Sequence, residues 1–129
     1  MEGAVDYSTY PEGELTQGVI GAAFEVHKQL GPGFLEKVYE NALLFELTTR
    51  GINVASQAEI PVSYKRHSVG NYIADLLVEA RLIVEIKATS AIDPSHQAQL
   101  IHYLKATGLK VGLLLNFGSK SLQIKRLIF

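Results

Sequence analysis

Hydrophobic and polar positions recur along the chain with two different periods. From Glu14 to Leu30 the apolar residues Leu15, Val19, Ala22, Val26 and Leu30 fall at the three-to-four spacing of a helix with one buried face. Gly31-Pro32-Gly33 stops that helix and lets another begin. The second helix is expected from about Phe34 to Arg50, with Gly51 as its C-terminal cap. Its core stripe is read as Leu35, Val38, Ala42, Leu43 or Glu46, and Leu47. The period then shortens to two. After Ile52–Val54, the residues Ala58, Ile60, Val62 and Tyr64 alternate with Gln57, Glu59, Pro61 and Ser63. That is a half-buried strand, and Pro61 marks one side of it as lacking a pairing partner. His67–Asn71, with Gly70, is expected to turn the chain.

Two apolar runs follow, Ile73–Val78 and Leu82–Ala88, separated by Glu79–Arg81. They predict antiparallel strands joined by a tight loop. Further on, Asp93-Pro94 has the form of a helix start, with Asp93 as N-cap and Pro94 in the first turn. That helix should run to about Thr107, end at Gly108, and bury Ile101 and Leu104 with Leu100 nearby. Val111–Leu115 is apolar throughout, as expected of a strand covered on both faces, and Leu122–Ile128 makes a last strand.

Three charges interrupt the central hairpin: Asp75, Glu85 and Lys87. Side chains alternate across a strand, so Glu85 and Lys87 share a face. A three-residue loop at Glu79–Arg81 sets Asp75 opposite Glu85 on that face. A two-residue loop would send Asp75 to the other side. We adopt the three-residue register. Facing carboxylates in apolar surroundings repel and lack water to solvate them. Lys87 offsets part of that charge, and a divalent cation between the acids would offset more. Mg²⁺ characteristically takes one or two carboxylates, waters and phosphate oxygens. The trio therefore suggests metal-assisted attack of water on a phosphodiester. A Lys two residues from a Glu is often only a solvated pair, but LIVEIKA is an unusual place for one.

Composition narrows the classes. The 129 residues suffice for one domain and one core, and 47% hydrophobic with 19% charged residues is ordinary for a globular protein. No apolar run approaches the ~20 residues of a membrane span, and no leader is expected. With no cysteine, disulfides and thiolate metal sites are excluded, which fits a cytoplasmic location. His27, His67, His96 and His102 have no zinc spacing. The net charge of −1 argues against a generic DNA-coating protein. Lys65, Arg66, Lys105, Lys110, Lys120, Lys125 and Arg126 could still form a local basic rim, or be scattered solubilising charge. Residues 1–13 are polar and are expected to form a flexible N-terminal arm, leaving 14–129 as the single domain.

The element order is two helices, three strands, a helix and two strands. Without the first helix and last strand it is αβββαβ. With Asp75 on the second strand and Glu85-Ile86-Lys87 on the third, the chain resembles the PD-(D/E)XK nuclease superfamily. It is similar in particular to the GxxExxY family, whose motif stands here as Gly33-Phe34-Leu35-Glu36-Lys37-Val38-Tyr39. ADLLVE, LIVEIKA, the Gln97–Tyr103 segment and GLLLNFG also resemble that family. Ala74 stands where the superfamily name has Pro.

The resemblance implies an α/β, restriction-endonuclease-like fold: an αβββαβ core with a mixed sheet flanked by helices, plus an extra N-terminal helix and a C-terminal strand. It implies that Asp75, Glu85 and the Ile86 carbonyl hold Mg²⁺ or Mn²⁺ and that Lys87 serves the attacking water. It implies that Glu36 completes the metal site, although an acid in a first helical turn also simply suits the helix dipole. Gln99 and Tyr103 resemble the Q-x-x-x-Y feature of related RecB-like nucleases, with Gln99 supporting the site and Tyr103, like Tyr39, meeting substrate. They could alternatively pack polar ends against the sheet rim. The implied activity is metal-dependent hydrolysis of DNA, less readily RNA. The contrasting expectation is a non-catalytic homodimeric module that keeps the fold and binds nucleic acid or protein. A close acid pair with Lys87 aimed at it would favour the enzyme. A homodimer is expected either way, since one small domain offers little surface for gripping a duplex.

Overall fold

The computed structural model describes residues 10–129. In chain order these form α1 (Gly13–Leu30), α2 (Glu36–Thr49), β1 (Val54–Tyr64), β2 (His67–Val78), β3 (Leu82–Lys87), α3 (Pro94–Thr107), β4 (Val111–Asn116) and β5 (Gln123–Ile128). The five strands make one sheet in sequence order. Only β3 and β4 run parallel; the other pairs are antiparallel. A parallel pair needs a crossover, and α3 provides it. Apolar side chains on one sheet face, including Leu76, Val84 and Ile86, pack with Val19, Val26, Leu43 and Leu47 of α1 and α2. On the other face Ala74, Ile83 and Leu114 pack with Leu100, Tyr103 and Leu104 of α3. β3 and β4 lie between the two helical layers, and β4 is buried along its whole length. The expected αβββαβ core with an added helix and strand is the architecture found.

Local chemistry accounts for the boundaries. Asp93 accepts the Ser95 N–H at 2.8 Å while His96 Nδ1 accepts the Asp93 N–H at 3.0 Å, a reciprocal cap that starts α3. Gly108, at φ 76°, ends it. Gly51, at φ 78°, follows α2, and the Ile52 N–H returns to the Leu47 carbonyl at 3.0 Å, closing the helix end. Pro61 sits on edge strand β1, where its missing N–H costs no central ladder bond.

Three expectations are corrected. α2 begins at Glu36 rather than Phe34, and its buried residues are Tyr39, Glu40, Leu43 and Leu47, while Leu35 is 80% exposed. The helix is rotated relative to the pure apolar stripe because Tyr39 stacks on Phe117, with ring centroids 4.8 Å apart. The turn is not at His67–Asn71. Lys65 and Arg66 make it, at φ 47° and 69°, and β2 starts at His67. A two-residue turn with both residues left-handed matches the twist of a hairpin, and here two long side chains adopt it. Gly70, which suggested a turn, lies instead opposite Val62, where a register shift between Val62 and Ser63 accommodates the bend. Residues 1–9 of the expected arm lie outside the described residues. Its end is not loose: Arg126 donates to the Pro11 carbonyl and stacks over Tyr10, and the Gly13 N–H bonds to the Tyr10 carbonyl at 2.9 Å.

Candidate active site

β2 and β3 pair only over Leu76–Val78 and Leu82–Val84, in the register of a three-residue loop. The next residues outward are Asp75 and Glu85, and here side chains replace the ladder. The Asp75 N–H donates to Glu85 Oε2 at 2.7 Å, and the Ile86 N–H donates to Asp75 Oδ2 at 2.8 Å. Each strand thus meets the other through a carboxylate, and the two acids are held together as the register required. The alternation of faces breaks at the same point. Leu76 joins the core under α1 and α2, whereas Ala74, two residues away, joins the core under α3. On β1, Gln57 lies between the Ser56–Leu76 and Ala58–Ala74 pairs and has a left-handed φ of 52°. The β1–β2 ribbon therefore rotates at Gln57 and Asp75, leaving β2 free to peel away from β3 where the acids sit.

The electrostatics follow from this enclosure. Glu85 is only 4% exposed. Burial, then repulsion from Asp75, pushes its carboxyl up to about 8. Asp75 is raised to about 6, mainly by burial and against the opposing pull of the Ile86 N–H, with Glu40 and Glu36 adding to the rise. Lys87 pulls both acids back down. It makes no ion pair or hydrogen bond with any described side chain, so its ammonium acts on the pair across a gap. Asp75 Oδ1 and Glu85 Oε1 carry no hydrogen bond from the described residues. Two carboxylates, Glu85 buried and Asp75 half-buried, each with an uncommitted oxygen and repelling the other, fit a hard divalent cation.

A sequence profile of the PD-(D/E)XK nuclease superfamily matches residues 13–127. The chain belongs to that superfamily. The sequence carries Asp75 and, ten residues on, Glu85-Ile86-Lys87 in the order of the D…(D/E)XK pattern, with Ala74 before Asp75. Among solved structures, one described as the crystal structure of SSO0001 shares the fold at a TM-score of 0.56 and 19% identity. The likeness covers 71% of this chain and 48% of that one, so this chain spans about half the neighbour's length. A search of curated proteins gave no match.

The other residues expected beside the acid pair separate into groups. Tyr103 lies within reach of its field. Its ring is buried beside Ala74 and Leu104, and its hydroxyl is raised to about 12, by burial first and then by Glu85 and Asp75. Gln99 lies one helical turn earlier, exposed, and lines the same cavity as Tyr103. Glu36 opens α2 as an exposed side chain whose field reaches both acids. It is not brought to them as a ligand: among the described residues no group of three or more Asp, Glu, His or Cys side chains could hold a metal. Tyr39 is corrected outright. Its ring is fully buried, and its hydroxyl donates to the Gly31 carbonyl at 2.5 Å and accepts the Phe34 N–H at 3.1 Å. It holds the loop before α2 and has no surface left for substrate.

Two further residues support the site. Glu40, 3% exposed, accepts from Lys37 and Gln57, both at 2.8 Å, and so ties α2 to β1 at the rotation point beside Asp75. Glu40 stands one helical turn after Glu36, and that spacing alone does not show which of the two is buried. Asn116 ends β4 fully buried. Its Oδ1 accepts from the Thr89 and Gly118 N–H groups at 2.9 and 3.1 Å, and its Nδ2 donates to Thr89 O and Gln123 Oε1, both at 2.9 Å. It fixes the chain leaving β3 just beyond Lys87. A polar residue closing an otherwise apolar strand was the only signal.

Proposed function

We propose that this chain is a metal-dependent phosphodiesterase that hydrolyses nucleic acid, DNA ahead of RNA. The observation that carries the reading is the enclosed Asp75–Glu85 pair, tied together through backbone N–H groups and faced by an unpaired Lys87. Asp75 Oδ1, Glu85 Oε1 and the Ile86 carbonyl would hold Mg²⁺ or Mn²⁺. The ion would supply Lewis-acid polarisation of the phosphoryl oxygen and a bound water acidic enough to attack near neutral pH.

The protein's own part is orientation and charge. The Asp75 and Ile86 N–H groups fix one oxygen of each carboxylate, so neither acid must reorganise as charge builds in the transition state. The Lys87 ammonium orients the attacking water and stabilises charge developing on the phosphate. Tyr103 stays protonated throughout the working range, so it can donate a hydrogen bond but not act as a base. Gln99 supports the site from the same helix face. Glu36 contributes through its field, which raises both acids.

Membership of the GxxExxY family, a cytoplasmic setting and a homodimer go with this reading. Exposed Phe24 and Phe45 on α1 and α2 support the pairing of two copies. Among the described residues no helix is long and apolar enough to cross a membrane.

The test is incubation of labelled single-stranded, duplex and branched DNA and of RNA with Mg²⁺ or Mn²⁺, beside Asp75→Asn and Lys87→Ala. Cleavage by the parent chain that falls at least about a hundredfold in both variants supports the proposal. Equal cleavage by parent and variants, or none by any, defeats it, and retained binding without cleavage would leave a nuclease-fold binding module.

A further inference from the structure

Beyond the acid pair, the β1–β2 ribbon and α3 enclose a trough of two adjoining cavities. The larger, about 470 Å³, lies between Val62 and Ser63 on the ribbon and His102, Lys105 and Ala106 on the helix. The smaller, about 280 Å³, is lined by Ser95, Gln99 and Tyr103. Tyr72 and His102 border both, which makes them one continuous depression. Neither cavity is lined by a carboxylate; the charged and chargeable groups are Lys105 and His102.

Tyr72 is 49% exposed, a large apolar surface left open beside the site. Its inner side meets Tyr103, with ring centroids 5.5 Å apart and planes inclined at 40°. Tyr103 in turn lies within the field of Glu85 and Asp75. An aromatic step therefore leads from the acids into the trough. The ribbon continues the path. From Asp75 to Arg66 it extends roughly 30 Å at strand spacing. It ends in the exposed, cationic Lys65-Arg66 turn, where Lys65 lies 5.4 Å over the Tyr64 ring.

We propose that this trough is the track for the single strand of polynucleotide running away from the scissile phosphate. Tyr72 is its stacking platform, and His102 and Lys105 are its phosphate contacts. The proposal rests on the phosphodiesterase reading and extends it to residues outside the acid pair. An open aromatic face next to a lysine and a hydrogen-bonding imidazole is a combination that holds unpaired bases without reading their sequence. A stacked duplex offers no free base face to Tyr72, so the feature selects single strands.

The experiment uses the full chain in EDTA at low salt, where no cleavage is needed. Fluorescence anisotropy measures binding of a labelled eight-nucleotide oligothymidylate, a two-nucleotide version, and a hairpin duplex. Variants are Tyr72→Ala, Tyr72→Phe and Lys105→Glu, with Lys28→Glu on α1 as a surface control. Thermal melting verifies that each is folded. The octamer should bind best. Its affinity should fall roughly tenfold in Tyr72→Ala and in Lys105→Glu, recover in Tyr72→Phe, and stay unchanged in Lys28→Glu. Octamer binding that is absent, indifferent to these substitutions, or weaker than duplex binding overturns the proposal.

A second measurement separates this from the parent reading. With Mn²⁺, Tyr72→Ala should raise KM for the octamer several-fold more than KM for bis(p-nitrophenyl) phosphate, which is too short to lie along the trough. Loss of all hydrolysis with the anisotropy pattern intact would remove the phosphodiesterase and keep the track. Equal damage to both substrates would reduce Tyr72 to a structural residue and overturn the track.

Discussion

Asp75 and Glu85 hold protons more tightly in the folded chain than in the unfolded one, because burial and proximity disfavour their charged forms. Their contribution to stability is therefore full below about pH 4 and declines as pH rises through about 6 and then about 8. In EDTA, Glu85→Gln should melt at the same temperature as the parent near pH 5. By pH 8.5 it should melt several degrees higher, since the amide can still accept the Asp75 N–H and carries no charge to bury. A variant that is less stable than the parent at both pH values would contradict the raised acid. The same protons compete with metal. Mg²⁺ or Mn²⁺ affinity, read by calorimetry or by the rise in melting temperature, should strengthen from pH 6 to pH 8 and vanish in Asp75→Asn. Tyr39→Phe tests a different role. Losing the bonds to Gly31 and Phe34 should cost about 1–2 kcal/mol in urea unfolding, with no change in affinity for oligonucleotide in EDTA.

At the level of elements, the exit from β3 governs whether Lys87 is presented to the acids. Asn116 binds both the N–H and the carbonyl of Thr89, and Gly118 packs against the Ala88–Thr89 backbone where a Cβ would collide. Gly118→Ala should destabilise the chain by about 3 kcal/mol, because the obstacle is backbone rather than a movable side chain. Asn116→Ala should cost a similar amount by leaving buried backbone groups unpaired. Urea unfolding checks both. These contacts join positions 27 or more residues apart, apart from the Gly118 bond to its neighbour, so no local pattern in the sequence displayed them. The hairpin was legible where it had one rule to obey: a three-residue loop between apolar runs fixed the register that unites Asp75 and Glu85. The β1–β2 turn was not, because Lys65 and Arg66 occupy a conformation usually left to Gly and Asn while Gly70 sits inside a strand. The face of α2 was misjudged for a related reason. Tyr39 and Glu40 are buried for their tertiary hydrogen bonds and stacking, which a hydrophobic stripe does not register.

For the molecule as a whole, membership of the PD-(D/E)XK nuclease superfamily and the five-stranded mixed sheet agree. Strong signals at this scale came from element order and from charges inside apolar strands. The weaker ones concerned exposed side chains, whose roles depend on what lies across a cleft. Gln99 and Tyr103 were placed together by helical spacing, but Tyr72 became significant only when β2 brought it to Tyr103. Nothing in its own neighbourhood of the sequence distinguishes it from an ordinary strand aromatic.

The reciprocal bonds between Asp75 and Glu85 have one more effect. Each acid commits a single oxygen to a backbone N–H, so a proton can settle on the other without breaking the tie between the strands. Mild acid should therefore silence the pocket while leaving its shape in place, and neutralisation should restore it as fast as buffers mix, with no refolding lag. The site behaves as a mould that can be discharged and recharged but not easily bent.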